Sequence, residues 1–136
     1  MKFTSRQFGD IDYQETHEFQ FPDGIIGFEH LRKFLIIDDE DSQPFRWLVS
    51  LEDPNLSFPM IPPSIVVPDY APVLPTGGTV FAVAVLNEPI EQSTVNLRAP
   101  VMIDTVTREG RQVVLEQDRY SLQHPLFAPP AGVGGA

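Results

Sequence analysis

Residues 45–55 read Phe45-Arg46-Trp47-Leu48-Val49-Ser50-Leu51-Glu52-Asp53-Pro54-Asn55, a mostly apolar run that stops at acidic and turn-forming residues. Such a run is typical of a β-strand, because strands are short and turns favour Asp, Asn and Pro. Further apolar runs of strand length occur at residues 18–21, 34–37, 65–67, 80–86, 94–97, 101–103 and 112–115. The spacing predicts eight or more short strands.

Proline and glycine limit the helical content of the chain. Fourteen prolines and nine glycines are spread along 136 residues, and proline inside a helix removes a backbone donor and clashes with the preceding turn. We therefore predict an all-β fold, a small antiparallel β-barrel-like domain with short turns. At most one or two short helical turns are expected, at residues 28–33 and 118–122, and a turn is expected at Glu109-Gly110.

The chain is long enough for one domain, which we place at residues 1–127. Residues 128–136 contain only Ala, Pro, Gly and one Val and are expected to form a flexible tail. There is no cysteine, no apolar run of the ~20 residues that a membrane span needs, and no signal-peptide pattern at the start. These features predict a cytoplasmic protein without a membrane partner.

The acidic charge is concentrated in one part of the sequence. Of nineteen acidic and nine basic residues, fifteen and five lie before Leu97, and four of each lie from Leu97 onward. Direct nucleic-acid binding is not expected, since it needs clustered Lys and Arg. A basic protein partner suits the charge better, because complementary charge steers encounter. Acidity that serves solubility alone remains an alternative.

The motifs of common catalytic and metal sites are missing from the sequence. His17, His30 and His124 are not spaced as metal ligands, and the acidic run at residues 38–41 lacks the alternation and glycine of a calcium loop. There is no Gly-x-Ser-x-Gly elbow. We predict no metal, no cofactor and no enzymatic activity.

Several sequence motifs are more specific than a generic β domain requires. They are Phe21-Pro22-Asp23-Gly24-Ile25-Ile26-Gly27-Phe28-Glu29, then the segment at residues 44–58, Asn96-Leu97-Arg98-Ala99-Pro100-Val101-Met102-Ile103, Gly110-Arg111-Gln112-Val113-Val114-Leu115 and His124-Pro125-Leu126. Because these motifs occur together and in this order, the chain resembles the FliW flagellar assembly factor family over residues 3–126.

The resemblance implies both a fold and a function. It implies a compact antiparallel β-barrel-like domain; separately, from the short-strand pattern, we expect the free protein to be a monomer. It also implies that the protein binds newly made flagellin in the cytoplasm and, when flagellin is scarce, binds the translational repressor CsrA. Capture of CsrA would relieve repression of flagellin messenger RNA translation.

The sequence departs from the family pattern at several places. Residues 71–79 are a short Pro- and Gly-rich segment where relatives have a longer, partly helical one. Pro59, Pro62 and Pro63 follow Phe58, where relatives continue as a strand, and proline is expected to interrupt it.

For the protein-binding surface we select strand-end residues that have no evident structural role. These are Glu52, Asp53, Asn55, Leu56 and Phe58; for Leu56 and Phe58 a core role is equally open. A small ligand-binding or enzymatic β-barrel is the alternative function. A filled apolar interior would favour the protein-binding module, and a deep pocket lined by His17 or Glu52 would favour the alternative.

Overall fold

The computed structural model describes residues 1–75, 78–116 and 119–127, which form a mostly β structure. The strands are β1 Lys2–Ser5, β2 Gly9–Asp12, β3 Phe19–Gln20, β4 Lys33–Asp38, β5 Arg46–Ser50, β6 Ser57–Ile61, β7 Thr79–Val85, β8 Thr94–Val95, β9 Val101–Asp104, β10 Glu109–Gln112 and β11 His124–Pro125. The helical parts are the four-residue helix α1 Pro63–Val66 and three 3-10 turns, Glu15–His17, Glu40–Ser42 and Ile90–Gln92. The predicted tail, residues 128–136, lies outside the described residues.

Seven of the strands close into a barrel. Their order is β7-β6-β5-β4-β3-β10-β9, and β9 pairs back with β7. The neighbours are antiparallel except β10 and β3, which run parallel and pair through Glu109 and Gln20. Strands β8 and β11 extend from β7 beyond the barrel. The predicted all-β barrel is confirmed.

The barrel interior is filled by apolar side chains. Residues that alternate along the strands point inward, as the two-residue period of a strand requires. The buried set is Phe19, Phe21, Ile25, Leu31, Phe34, Leu48, Met60, Phe81, Val101 and Ile103. Gly110 lies against the ring of Phe21, where an added Cβ would come within 2.2 Å of Cζ. Close packing between β10 and Phe21 therefore depends on that glycine.

A second core lies on the outer face of the barrel. Ala82, which alternates with inward-facing Phe81 on β7, packs there with Val95, Leu97 and other buried residues. Tyr70 and Tyr120 complete it, with ring centroids 4.5 Å apart, and the Tyr70 hydroxyl donates to the Leu97 carbonyl at 2.8 Å. Burial, with a smaller effect of Tyr120, raises the pKa of Tyr70 to about 12. This layer covers barrel surface that would otherwise be exposed and apolar.

Strands β1 and β2 form a separate hairpin that lies against β5. The Phe8 ring meets the Trp47 ring edge to face at 5.8 Å, and the Arg6 amide donates to the Pro54 carbonyl at 2.8 Å. This hairpin was not expected from the sequence. No helix among the described residues is long and apolar enough to cross a membrane.

Two predicted elements are wrong in type. Residues 65–67, predicted as a strand, fall in and just after α1, because Pro63 occupies the first turn of the helix and its fixed φ suits that position. Residues 28–33, predicted as a helical turn, belong to successive β-turns and the start of β4. The second helical turn was predicted to begin at Asp118, which is outside the described residues.

The predicted turn at Glu109-Gly110 is also wrong, because both residues lie in β10. The turn precedes them. The Asp104 carboxylate accepts the amides of Val106 and Thr107 at 2.8 and 3.2 Å, and Arg108 takes a positive φ of 62°. A carboxylate that accepts amides two and three residues ahead commonly begins a turn. Asp104 therefore places the turn before Glu109 and not at Glu109-Gly110.

Pro59 does not interrupt the strand that follows Phe58. It lies within β6, opposite Trp47. The Ser50 amide donates to the Leu56 carbonyl, and antiparallel partners alternate between hydrogen-bonded and non-bonded pairs. Pro59 therefore occupies a non-bonded position toward β5, where its missing N–H costs no bond to that strand. Its nitrogen faces β7 instead, and the pairing of β6 with β7 covers Met60 and Ile61 but not Pro59.

Candidate functional site

The predicted binding residues cluster at the turn between β5 and β6, here called the β5–β6 turn (residues 51–56). The buried Ser50 hydroxyl accepts the amides of Glu52 and Asp53 at 3.1 and 3.0 Å. The Asp53 carboxylate accepts the Asn55 amide at 3.0 Å, and the Leu56 amide donates to the Asp53 carbonyl at 3.1 Å. The turn is therefore ordered by its own side chains.

Glu52 has a structural role that was not expected from the sequence. Its carboxylate accepts the backbone amides of Arg32 and Lys33 at 2.6 and 2.8 Å, which joins the β5–β6 turn to the start of β4. The hydrogen bond from Arg32, opposed by partial desolvation and helped by the bond from Lys33, lowers the pKa of Glu52. The expectation that Glu52 is free of structural roles was wrong.

The other predicted residues divide between surface and core. Asn55 is exposed and Asp53 half-buried. Leu56 and Phe58 are half-buried and pack against the barrel interior, and Phe58 meets the Phe28 ring edge to face at 5.2 Å. The structural role left open for Leu56 and Phe58 is therefore present, and the accessible part of the set is Glu52, Asp53 and Asn55.

The hairpin of β1 and β2 extends this surface. Its tip contacts the β5–β6 turn through the Arg6 amide and the Pro54 carbonyl, and the Ser57 hydroxyl donates to the Gln7 side chain. Two polar loops thus form one continuous face at this end of β5. The contribution of Gln7 could not be predicted, because nothing in the sequence of residues 1–12 indicates where the hairpin packs.

A cleft of about 310 Å³ opens at the opposite end of β5, at one mouth of the barrel, here called the mouth cleft. Phe19, Phe81 and Ile103 from the filled interior form part of its wall, and Arg46 and Arg108 line it. Arg46 forms an ion pair with Asp38, with Nε and Oδ1 2.6 Å apart. Neither arginine could be selected from the sequence, because the two are remote in the chain and only barrel closure brings them together.

A filled interior was expected to favour the protein-binding function, and a pocket lined by His17 or Glu52 to favour the ligand-binding or enzymatic one. The structure shows the first feature and part of the second. The interior is filled, as the protein-binding module requires. The mouth cleft is lined by His17 but not by Glu52, and His17 Nδ1 accepts the Gln14 amide at 3.1 Å. Within the part of the chain that the structure describes, no three His, Asp or Glu side chains are grouped to hold a metal ion.

Sequence comparisons with known proteins all identify the same family. The family model described as FliW protein matches residues 2–126. A protein named flagellar assembly factor FliW from Thermotoga neapolitana is 39% identical over 135 residues, covering 90% of this chain and 91% of its own. Another protein of that name, from Caldanaerobacter subterraneus subsp. tengcongensis, is 35% identical over 140 residues. The match covers 93% of this chain and 93% of that protein.

The fold is also similar to a solved structure. The crystal structure of a flagellar assembly factor FliW superposes with a TM-score of 0.87 at 30% sequence identity. The match covers 95% of this chain and 99% of that one. The similarity thus includes both the barrel and the layer packed outside it.

Proposed function

The chain belongs to the FliW family of flagellar assembly factors, and from this membership we propose that it regulates flagellin production by binding two proteins, flagellin and CsrA. When flagellin is scarce, the protein captures CsrA and relieves repression of flagellin messenger RNA translation. When flagellin accumulates, it occupies the protein and releases CsrA. The proposed role is regulatory and cytoplasmic, and it needs no catalytic step or cofactor.

The ordered β5–β6 turn is the observation that carries the proposed interface. It presents Glu52, Asp53 and Asn55 on a loop that Ser50 and Asp53 already hold in one conformation. A preordered loop loses little entropy on binding. We therefore propose that CsrA contacts this turn and the adjacent hairpin tip. Leu56 and Phe58 anchor the turn by packing against the barrel core.

The charge of the chain supports a mechanism for relief of repression. Its net charge is −10, and the whole acidic excess precedes Leu97. A negative protein bound beside an RNA-binding surface repels the phosphate backbone without occupying the RNA site. The effect requires close docking, since screening limits it to about 8 Å at physiological ionic strength.

Substitution of Asn55 tests the interface. Asn55 is exposed, so Asn55→Arg should leave the fold intact while adding bulk and a positive charge where a basic partner docks. We expect CsrA affinity, measured by isothermal titration calorimetry, to fall about tenfold or more. The matched control is Gln92→Arg, which makes the same charge change at another exposed position.

Thermal unfolding of both variants checks that the fold is unchanged. Wild-type affinity in Asn55→Arg would exclude the β5–β6 turn and move the interface, first to the segment at residues 71–79. If the wild-type protein binds neither CsrA nor flagellin at micromolar concentrations, the proposed function itself fails.

A further inference from the structure

Arg108 in the mouth cleft forms no ion pair with a carboxylate in residues 1–75, 78–116 or 119–127. Its guanidinium lies 3.8 Å from the centroid of the Phe19 ring, and Nη2 donates to the His17 carbonyl at 2.5 Å. Nε is buried and has no hydrogen-bond acceptor among the described residues. Buried donors without an acceptor are uncommon and costly. Because the buried Nε is out of reach of a ligand, the terminal nitrogens are the part of the guanidinium that can donate into the cleft.

The backbone at Arg108 is consistent with a functional position. Its φ of 62° makes it the one non-glycine residue with positive φ in the part of the chain that the structure describes. Residues with a branched or long side chain rarely adopt that conformation, which suits glycine or asparagine better. An arginine held there directs a charged group into the cleft at the expense of local strain.

The other charged groups at the cleft leave Arg108 as the available cation. Arg46 lies 5.7 Å from the Phe81 ring centroid and is already paired with Asp38 through two hydrogen bonds. Asp12 and His17 also line the cleft. Asp12 lowers the attraction for an anion but forms no ion pair with Arg108.

The shape of the cleft limits what can bind there. A volume of about 310 Å³ is at the lower end for ligand pockets. Below it the barrel interior is filled, so that a chain cannot pass through. Aromatic and aliphatic walls beside a guanidinium suit an apolar side chain next to a carboxylate, since guanidinium groups bind carboxylates through paired hydrogen bonds.

We propose that the mouth cleft binds the C-terminal carboxylate of a peptide whose last residue is apolar. Arg108 binds the carboxylate, and Phe19, Phe81 and Ile103 contact the terminal side chain. This site is independent of the interface proposed at the β5–β6 turn, because the length of β5, roughly 13 Å, separates the two.

The test is an NMR titration of isotope-labelled protein with acetyl-Leu-Phe, either as the free acid or as its C-terminal amide. We expect the free acid to shift backbone amides around the cleft, including those of Phe19 and Thr79, in a saturable way. The amide should bind at least tenfold more weakly, because it cannot accept charge-assisted hydrogen bonds.

Variants identify the residue responsible. Arg108→Gln should weaken binding of the free acid about tenfold or more, and Arg108→Gly should do the same while suiting the positive φ. Arg111→Gln is the matched control: Arg111 is exposed on β10 and outside the cleft, and its loss changes the charge equally. We expect this control to bind as the wild type does.

Three results would each overturn the proposal. The first is equal binding of the acid and the amide, which would show that the carboxylate is not recognised. The second is the same shifts with sodium acetate alone at equal concentration, which would show a site for a free anion. The third is unchanged affinity in both Arg108 variants.

Discussion

Glu52 joins two parts of the barrel that are distant in sequence. Its carboxylate accepts the amides of Arg32 and Lys33, while its own amide donates to the Ser50 hydroxyl. A single side chain thus orders the start of β4 and the end of β5 together. The same residue belongs to the proposed interface, so its substitution would affect stability and binding at once, which is why Asn55 is the better test of binding.

We expect a pH-dependent loss of stability in Glu52→Gln. The hydrogen bonds lower the pKa of Glu52 in the folded protein below its ordinary value of 4.5. A lowered pKa stabilises the fold above the unfolded-state pKa, and that stabilisation disappears as the pH falls through the folded-state pKa. At pH 7 the variant should lose about 1 kcal/mol, a low value because solvent screens the carboxylate.

The measurement is urea unfolding of wild type and variant between pH 7 and pH 3. The difference in free energy of unfolding should shrink as the pH falls below 4.5, because the wild-type carboxyl then becomes neutral as well. Glu91→Gln, at an exposed position in a 3-10 turn, is the control and should show little difference at any pH. A constant difference for Glu52→Gln would contradict the assigned role.

At the scale of elements, the hairpin of β1 and β2 shields one side of β5. Trp47 is 8% exposed, and its indole Nε1 donates to the Ser42 hydroxyl at 2.8 Å. Phe8, between the two hairpin strands, supplies an edge-to-face ring contact. The tryptophan is unique in the sequence, so its fluorescence reports directly on hairpin docking.

Phe8→Ala should loosen that docking. We expect a red shift of tryptophan emission, because water reaches the indole, and a loss of about 1–2 kcal/mol in the free energy of unfolding, below the cost for a fully buried ring. Phe127→Ala removes an exposed ring of the same kind and should change neither quantity. An unshifted spectrum in Phe8→Ala would mean that the hairpin does not protect Trp47.

The strands that sequence could predict are those with an apolar inward face. Strands β4, β5 and β7 stand out because their apolar runs end at turn residues. The hairpin strands Lys2–Ser5 and Gly9–Asp12 are mostly polar and exposed, so no alternation marks them. The run at residues 65–67 is apolar enough for a strand, but Pro63 starts a helix there.

The candidate site was predictable only in part, for a similar reason. The acidic turn after β5 is continuous in sequence, so Glu52, Asp53 and Asn55 could be selected together. The hydrogen bonds from Arg32 and Lys33 to Glu52 depend on strand register. The mouth cleft depends on barrel closure, which brings Arg46 and Arg108 to one opening, and no local pattern contains that information.

At the scale of the whole molecule, the area of the protein surface bears on how two proposed partners could bind. The accessible surface is 8394 Å², and a standard interface takes about 800 Å² from each partner, so separate sites would fit. The polar face at the β5–β6 turn is nevertheless a single one, and a closed barrel with short turns has little capacity to transmit a change between distant sites. Overlap of the two sites is therefore the simpler arrangement.

We expect flagellin and CsrA to exclude each other. Adding flagellin to the preformed complex with CsrA should release CsrA in proportion, as followed by size-exclusion chromatography. Higher salt should slow association with CsrA more than it speeds dissociation, because charge acts mainly on encounter. A stable ternary complex at saturating flagellin would contradict the switch and assign the protein a scaffolding role.

The closure of the barrel also sets the order in which the nascent chain can complete its fold. The seam joins Gln20 of β3 to Glu109 of β10, and Gly110 of β10 covers the ring of Phe21. While the ribosome is still adding the first hundred residues, these early aromatic side chains have no such cover, since the strands that close over them do not yet exist. The interior becomes sealed only after β10 has left the exit tunnel.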